Sequence, residues 1–299
     1  MTMTRLSIPT SASTPIVSLL PGSPAPFQLI WASHSRWPLL PATAVPSSAQ
    51  TPPQRLTVSV LDSSFNPPHA AHLALAQYGS HDAQLLSFTV GNPDKGVVDS
   101  RITALRLEMV REVARDMERR AKDGTGNPAW TNVAVAVMMA PTFVEKSHIL
   151  QEELRHLIRV HLGGPADDEG GARLVDVRLS FPVGWDTLVR VFAPRYYPPP
   201  GPDLAASMTA FLTDNRSWLA CARRGDISPE EEQAYLATPE VEPWVKQGKV
   251  ELFDLDENIQ RISSTAIRRA AAEGRWDAVE RDVPFPSVVE IIKREALYR

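Results

Sequence analysis

Apolar positions recur at two periods along this chain, and the change from one to the other marks its elements. Leu56–Leu61 is a short strand-like run with two valines, and Leu85–Val90 is a second. Val133–Met139 is almost continuously apolar, as a strand buried on both faces is. Leu174–Phe181 and Val250–Leu255 read as further strands. Between them the period lengthens. Ile102, Leu105, Met109, Val113 and Met117 fall at helical spacing and make one apolar face of a long Arg/Glu-rich helix. Ala70–Gln77, Gln151–Leu162, Ser207–Arg223, Glu230–Leu236 and Ser287–Leu297 also read as helices. Ser287 with Glu290 three residues on fits a capping box. Strand–helix alternation over about 245 residues predicts an α/β domain with a parallel sheet. Three stretches, Gly163–Arg173, Pro194–Pro202 and Gly225–Pro243, read as surface insertions.

Composition changes the picture at the N-terminus. Ten of the 27 prolines lie in residues 1–53, beside fifteen Ser or Thr, and the first acidic residue is Asp62. Residues 1–54 therefore read as a low-complexity, partly disordered tail and 55–299 as one domain. Two apolar islands in the tail, Ile16–Leu20 and Phe27–Trp31, are able to dock on the body. The tail lacks the charged start and clean apolar stretch of a secretory signal. It is acid-free and Ser-rich, as transit peptides are, but has only Arg5 and Arg36 before residue 55 and many prolines. Cytoplasm or nucleus is expected, ahead of the mitochondrion.

Charge and cysteine content narrow the function classes. The formal net charge of −4 argues against a general nucleic-acid binder. A single cysteine, Cys221, excludes an internal disulfide framework and any multi-Cys metal site. No run of about 18 apolar residues is present, so no transmembrane helix is expected.

Two stretches carry the chemistry. The first, Asp62-Ser63-Ser64-Phe65-Asn66-Pro67-Pro68-His69-Ala70-Ala71-His72, follows the first strand and opens a helix. Ligands of open α/β sheets bind at the carboxyl ends of strands, where helix N-termini offer N–H groups to phosphates. His69 and His72 share one helix face and are able to donate to phosphate oxygens. Taken alone, such a pair is ordinarily solvent-facing or capping. The second stretch is Ile262-Ser263-Ser264-Thr265-Ala266-Ile267-Arg268-Arg269. Ser264 reads as a natural N-cap. The hydroxyls, the free N–H groups and Arg268, one turn in, form a second candidate phosphate site. By itself this too is an ordinary capped surface helix.

Together, about 190 residues apart, the two stretches resemble the paired signatures GxFxPxHxxH and ISSTxxR of the nucleotidylyltransferase superfamily. Phe65, Pro67, His69 and His72 match, and Asn66 matches the nicotinamide mononucleotide adenylyltransferase branch; the second signature matches in full. Ser63 stands where the family usually has glycine. Gly184-Trp185-Asp186-Thr187-Leu188 resembles the family's Gly-x-Asp-x-Leu element, which contacts adenosine. Lys95 lies where the family carries a basic residue facing the substrate phosphates, and Arg106-Leu107-Glu108-Met109 resembles the next helix. One departure bears on the acceptor. Members acting on nicotinamide mononucleotide usually carry a Trp-Glu pair after the third strand, the Trp stacking on the pyridine ring. Here Glu145 fits but Val144 replaces the Trp, so that stacking comes from Phe143, Trp185 or Trp218, or is absent. The resemblance covers residues 56–299 and looks closest to a fungal, promoter-of-filamentation-like branch.

The resemblance implies a Rossmann-like, doubly wound parallel sheet and transfer of AMP from ATP, with Mg²⁺, to nicotinamide mononucleotide, giving NAD and pyrophosphate. His69 and His72 would face the triphosphate and the transition state. Ser263, Ser264, Thr265 and Arg268 would hold the β- and γ-phosphates, Gly184 and Asp186 adenosine, and Lys95 a substrate phosphate. Ser63, Ser64, Phe65, Asn66, Trp185 and Ile262 complete the expected nucleotide contacts. Two other readings stay open. One is an adenylyltransferase for another phosphate acceptor, such as nicotinate mononucleotide or phosphopantetheine. The other is an ATP-binding or weakly ATP-hydrolysing protein of the same fold, meeting a protein partner through the tail or insertions.

Overall fold

A computed structural model describes residues 26–40, 54–89, 100–162, 175–223 and 225–299. Seven strands among them form one sheet: β1 (Phe27–Ala32), β2 (Arg55–Ser63), β3 (Ala83–Thr89), β4 (Val133–Met138), β5 (Asp176–Gly184), β6 (Ser217–Ala222) and β7 (Val250–Phe253). Their order across the sheet is β1-β4-β3-β2-β5-β6-β7, and every pairing is parallel except β1 with β4. From β2 the chain winds outward through β3 to β4, then restarts beside β2 at β5 and winds the other way to β7. That reversal opens a crevice at the carboxyl ends of β2 and β5, the usual ligand position in such sheets. The helices used below are α1 (Ala70–Gln77), α2 (Ser100–Lys122), α3 (Phe143–His161), α4 (Trp185–Val191), α5 (Ser264–Ala272), α6 (Trp276–Asp282) and α7 (Pro286–Arg294). No helix among the described residues is long and apolar enough to cross a membrane.

Strand alternation divides the core into two layers. Val58 and Val60 of β2, Leu85 of β3 and Ala134, Ala136 and Met138 of β4 pack with Leu150, Leu154 and Ile158 of α3 and Leu188 of α4. Leu61 of β2, Leu86 and Phe88 of β3 and Val133, Val135 and Val137 of β4 pack on the other side with α2, α5 and α7. The predicted apolar face of α2 lies there, with Leu105, Met109, Val113 and Met117 buried and Ile102 partly so. At the carboxyl end of β2 the same alternation sends Asp62 toward α3 and Ser63 toward α1.

Several expectations need correction. The boundary at residue 55 leaves out a strand of the sheet: Phe27–Ala32, inside the segment read as tail, is the antiparallel edge strand β1. Trp37 and Leu39 behind it are buried, and the Trp37 and Pro38 carbonyls are bound by His161 Nε2 and Asn132 Nδ2. The island Ile16–Leu20 and the stretch Gly163–Arg173 lie outside the described residues. Ser207–Arg223 is not one helix. A short helical turn ends at Asp214, and Ser217–Ala222 is a buried strand. The capping box at Ser287 does not form, because α7 starts one residue earlier: Pro286 takes its first turn and Phe285 is the N-cap.

Candidate nucleotide-binding site

The loop between β2 and α1 turns sharply at Phe65, whose φ of 44° lies in the left-handed region that bulky residues rarely adopt. The fold holds that turn by burying the ring completely and by hydrogen-bonding the Phe65 N–H to Ser63 Oγ (3.3 Å). α1 then opens at His69, its N-cap. The two imidazole centroids lie 3.9 Å apart, and both residues are buried, 7% and 9% exposed. His72 Nδ1 accepts the His69 backbone N–H (3.1 Å), so in the neutral ring Nε2 carries the proton and donates to Ser63 Oγ (3.0 Å). The serine at the family's glycine position therefore occupies the donor of His72. Burial pushes the His69 pKa down to about 4, opposed weakly by Asp282. Burial and the neighbouring His69 push His72 well below the usual imidazole range. At neutral pH both rings are uncharged N–H donors, not cations.

The second motif docks on this loop. Ser263, not Ser264, is the N-cap of α5, accepting the Ala266 N–H. The Ser264 hydroxyl is thereby released to donate to the Pro67 carbonyl (3.3 Å), across 197 residues. Arg268 donates to the Asn66 carbonyl (2.9 Å) and to Thr265 Oγ1 (3.1 Å). Ile262 anchors the approach against the α2-side core. Two contacts that sequence reading missed complete the clamp. Arg106 of α2 is buried, lies over the Phe88 ring and donates to the Ser64 carbonyl (2.9 Å from Nε). The Tyr298 hydroxyl donates to Asn66 Oδ1 (2.8 Å), and burial pushes its pKa up. Burial lowers the Arg106 pKa, opposed by Tyr298 and aided by Arg268, and neither guanidinium meets a carboxylate among the described residues. An Arg at the start of a long helix has no local signal that marks such a role.

On the β5 side, Gly184 is the N-cap of α4, and Asp186 lies exposed in its first turn. Gly184 has an ordinary φ of −86°, and an added Cβ there would meet nothing within 4 Å. The glycine leaves open space beside the crevice. Trp185 does not face that space: it is 6% exposed and packs edge-on to Tyr235. Trp218 is also misplaced for stacking. It pairs with Ser180, four residues before Gly184, so it lies about 13 Å back from the carboxyl edge. Phe143, half-buried at the start of α3, keeps a position at that edge. Glu145 caps α3, accepting from the Thr142 N–H and hydroxyl. Lys95 lies outside the described residues.

A second unanticipated feature is a buried ion pair. Lys146 Nζ of α3 lies 2.6 Å from Asp62 Oδ2, and the two side chains are 5% and 8% exposed. Asp62 Oδ1 accepts from Ser87 Oγ (2.7 Å) and Thr89 Oγ1 (2.8 Å).

No family model matches the chain. A Schizosaccharomyces pombe protein named "Putative nicotinamide mononucleotide adenylyltransferase" is 26% identical over 262 residues, 82% of this chain and 90% of that protein. Two solved structures of Plasmodium falciparum nicotinic acid mononucleotide adenylyltransferase, complexed with NaAD and with APC, align at 12% identity and a TM-score of 0.48. Each alignment covers 81% of this chain and 97% of theirs. In sequence, and in the order of its two motifs, the chain is similar to the nicotinamide mononucleotide adenylyltransferase-like proteins.

Proposed function

We propose that this chain transfers the adenylyl group of ATP to the phosphate of nicotinamide mononucleotide, forming NAD and pyrophosphate. The observation that carries the reading is the meeting of the two motifs. Ser264 and Arg268 bind the carbonyls of Pro67 and Asn66 and so join two helix starts, the ends that offer N–H groups to anions, at the carboxyl edge of the sheet. An oxygen of the mononucleotide phosphate attacks the α-phosphorus in line. The bond from that phosphorus to the bridging oxygen breaks, and its electrons leave with pyrophosphate. The attacking phosphate is already a nucleophile, so no covalent protein intermediate is needed. Catalysis is then positioning and charge stabilisation. Neutral His69 would supply an N–H group, and His72, whose own N–H is bonded to Ser63, would hold the Ser63 hydroxyl in place. Arg268, with Arg106 behind the loop, would supply the positive field. Gly184 and Asp186 would border adenosine, and Lys95 a substrate phosphate. Among the described residues, no group of three or more His, Cys, Asp or Glu is arranged to hold a metal. Magnesium would therefore come with ATP, held by phosphate oxygens and water rather than a protein cage.

The test is product analysis with ATP, Mg²⁺ and either nicotinamide or nicotinate mononucleotide. A dinucleotide and pyrophosphate in equal amounts are expected, more with the nicotinamide substrate. ATP turnover without any dinucleotide would overturn the reading in favour of a weak ATPase of the same fold. The inward-turned Nε2 of His72 is the observation that favours that second reading.

A further inference from the structure

The Asp62–Lys146 pair lies at the carboxyl edge, on the α3 side of the sheet and away from the histidines. Asp62 is saturated: one oxygen takes two hydroxyls and the other the ammonium. Lys146 is not. It spends one of its three N–H groups on Asp62, and the other two have no partner among the described residues. A buried ion pair is poor value as a source of stability, since well-packed apolar residues do as well or better. A buried pair with unused donors, at the edge where such sheets bind ligands, points instead to recognition. Beside it stands Phe143, with Nζ 5.1 Å from the ring centroid. Phe143 itself packs edge-on to Phe181, with centroids 5.5 Å apart, and lies 6.2 Å from Phe211, so the ammonium stands beside an aromatic cluster at this edge.

Resting on the reading of the chain as a pyridine mononucleotide adenylyltransferase, we propose that Lys146 is the residue that reads the polar substituent of the acceptor's ring. Asp62, by neutralising Lys146, makes this edge of the sheet select the neutral carboxamide over the carboxylate. A spare N–H of Lys146 donates to the carboxamide oxygen. A carboxylate in the same place gains the same hydrogen bond but lies against the Asp62 anion, so it is selected against by like-charge contact.

The experiment compares kcat/KM for nicotinamide and nicotinate mononucleotide, by pyrophosphate release at fixed ATP, in three proteins: wild type, Asp62→Asn, and Asp62→Asn with Lys146→Met. Wild type is expected to prefer the amide by about tenfold or more. Asp62→Asn, with the ammonium uncompensated, should shift the ratio toward the carboxylate by about tenfold or more. Removing one member of a buried pair destabilises the fold, so the double variant, which leaves no charge buried, is run beside it. There the preference should collapse toward parity. A merely structural pair would lower both kcat/KM values together. An unmoved ratio in the double variant, with the fold intact by thermal unfolding, overturns the proposal and leaves the transferase reading standing. A wild-type chain that turns over neither mononucleotide overturns the transferase reading, and this proposal with it.

Discussion

The two sides of the crevice handle charge in opposite ways. On the α1 side, positive charge is concentrated and left open. Arg106 and Arg268 converge on the loop carbonyls without a carboxylate between them, while the histidines are held neutral by burial. On the α3 side the buried cation Lys146 is cancelled by Asp62. The first arrangement suits a highly charged group such as a triphosphate, for which each uncompensated donor is useful. The second suits a group that must be told apart from a near-isostere differing only in charge. On the two proposals above, stabilising charge and discriminating it call for different electrostatics a few residues apart, and the alternation of β2 turns Asp62 and Ser63 to opposite sides of the sheet.

The comparison breaks most readily at Arg268. Arg268→Ala removes both the charge proposed to face the phosphates and the strut to the Asn66 carbonyl. A fall in kcat/KM for ATP of about 10²-fold or more is expected, the scale of one lost preorganised donor. Arg268→Lys should recover part of it. Near-normal turnover in the alanine variant would show that the charge on this side is idle.

The neutrality of the histidines is tested by pH. His69 titrates at about 4 in the fold against 6.5 when unfolded. Below pH 6.5 the unfolded chain binds a proton that the folded chain refuses. This contribution to stability is thus complete above 6.5 and lost as pH falls toward 4, by about 3 kcal/mol in all. His72 and His81 are lowered by burial too and add losses of the same sign. Urea unfolding at pH 7.5 and pH 5 should show a clear loss, and His69→Gln should shrink it. An unchanged slope in that variant would mean that the ring is not buried as a neutral group.

A smaller effect separates binding from folding. Gly184→Ala adds a methyl into open space at an ordinary φ, so the melting temperature should hold. If adenosine lies against that glycine, KM for ATP should rise roughly tenfold with kcat little changed. An unchanged KM would move the adenosine site away from β5.

How far these two sides could be read from sequence differs for a physical reason. The α1 side is local: the strand end, the Pro-Pro step and the helix start at Ala70 are contiguous, and the bounds Ala70–Gln77 are those of the structure. The α3 side is assembled across 84 residues from one Asp and one Lys that individually look like turn and surface. The same distinction explains the strands. β4 is apolar throughout and legible. β6, Ser-Trp-Leu-Ala-Cys-Ala, has no β-branched residue and is rich in helix formers, so its strand state comes from its neighbours in the sheet. β1 sits in Pro/Ser-rich surroundings and gains its conformation only by pairing with β4, a hundred residues on.

The finest test of the comparison is Ser63, which lies on the α1 side but carries the family's departure. Its Oγ accepts from His72 Nε2 and from the Phe65 N–H. In Ser63→Gly both donors lose that acceptor. Phe65 keeps its turn through the buried ring, so a stability loss of about 2 kcal/mol is expected, the worth of two ordinary hydrogen bonds. His72 would gain a free N–H to offer a phosphate oxygen, and kcat should rise by a few-fold, the smallest of the effects argued here because the ring need only be released, not moved. The ratio of the two mononucleotides as acceptors should stay where it is, since Asp62 and Lys146 lie on the other side of the sheet. A fall in kcat instead would show that the Ser63 hydroxyl, whose own proton is not committed to either contact, is itself one of the donors to the nucleotide. His72 would then be the residue that aims it.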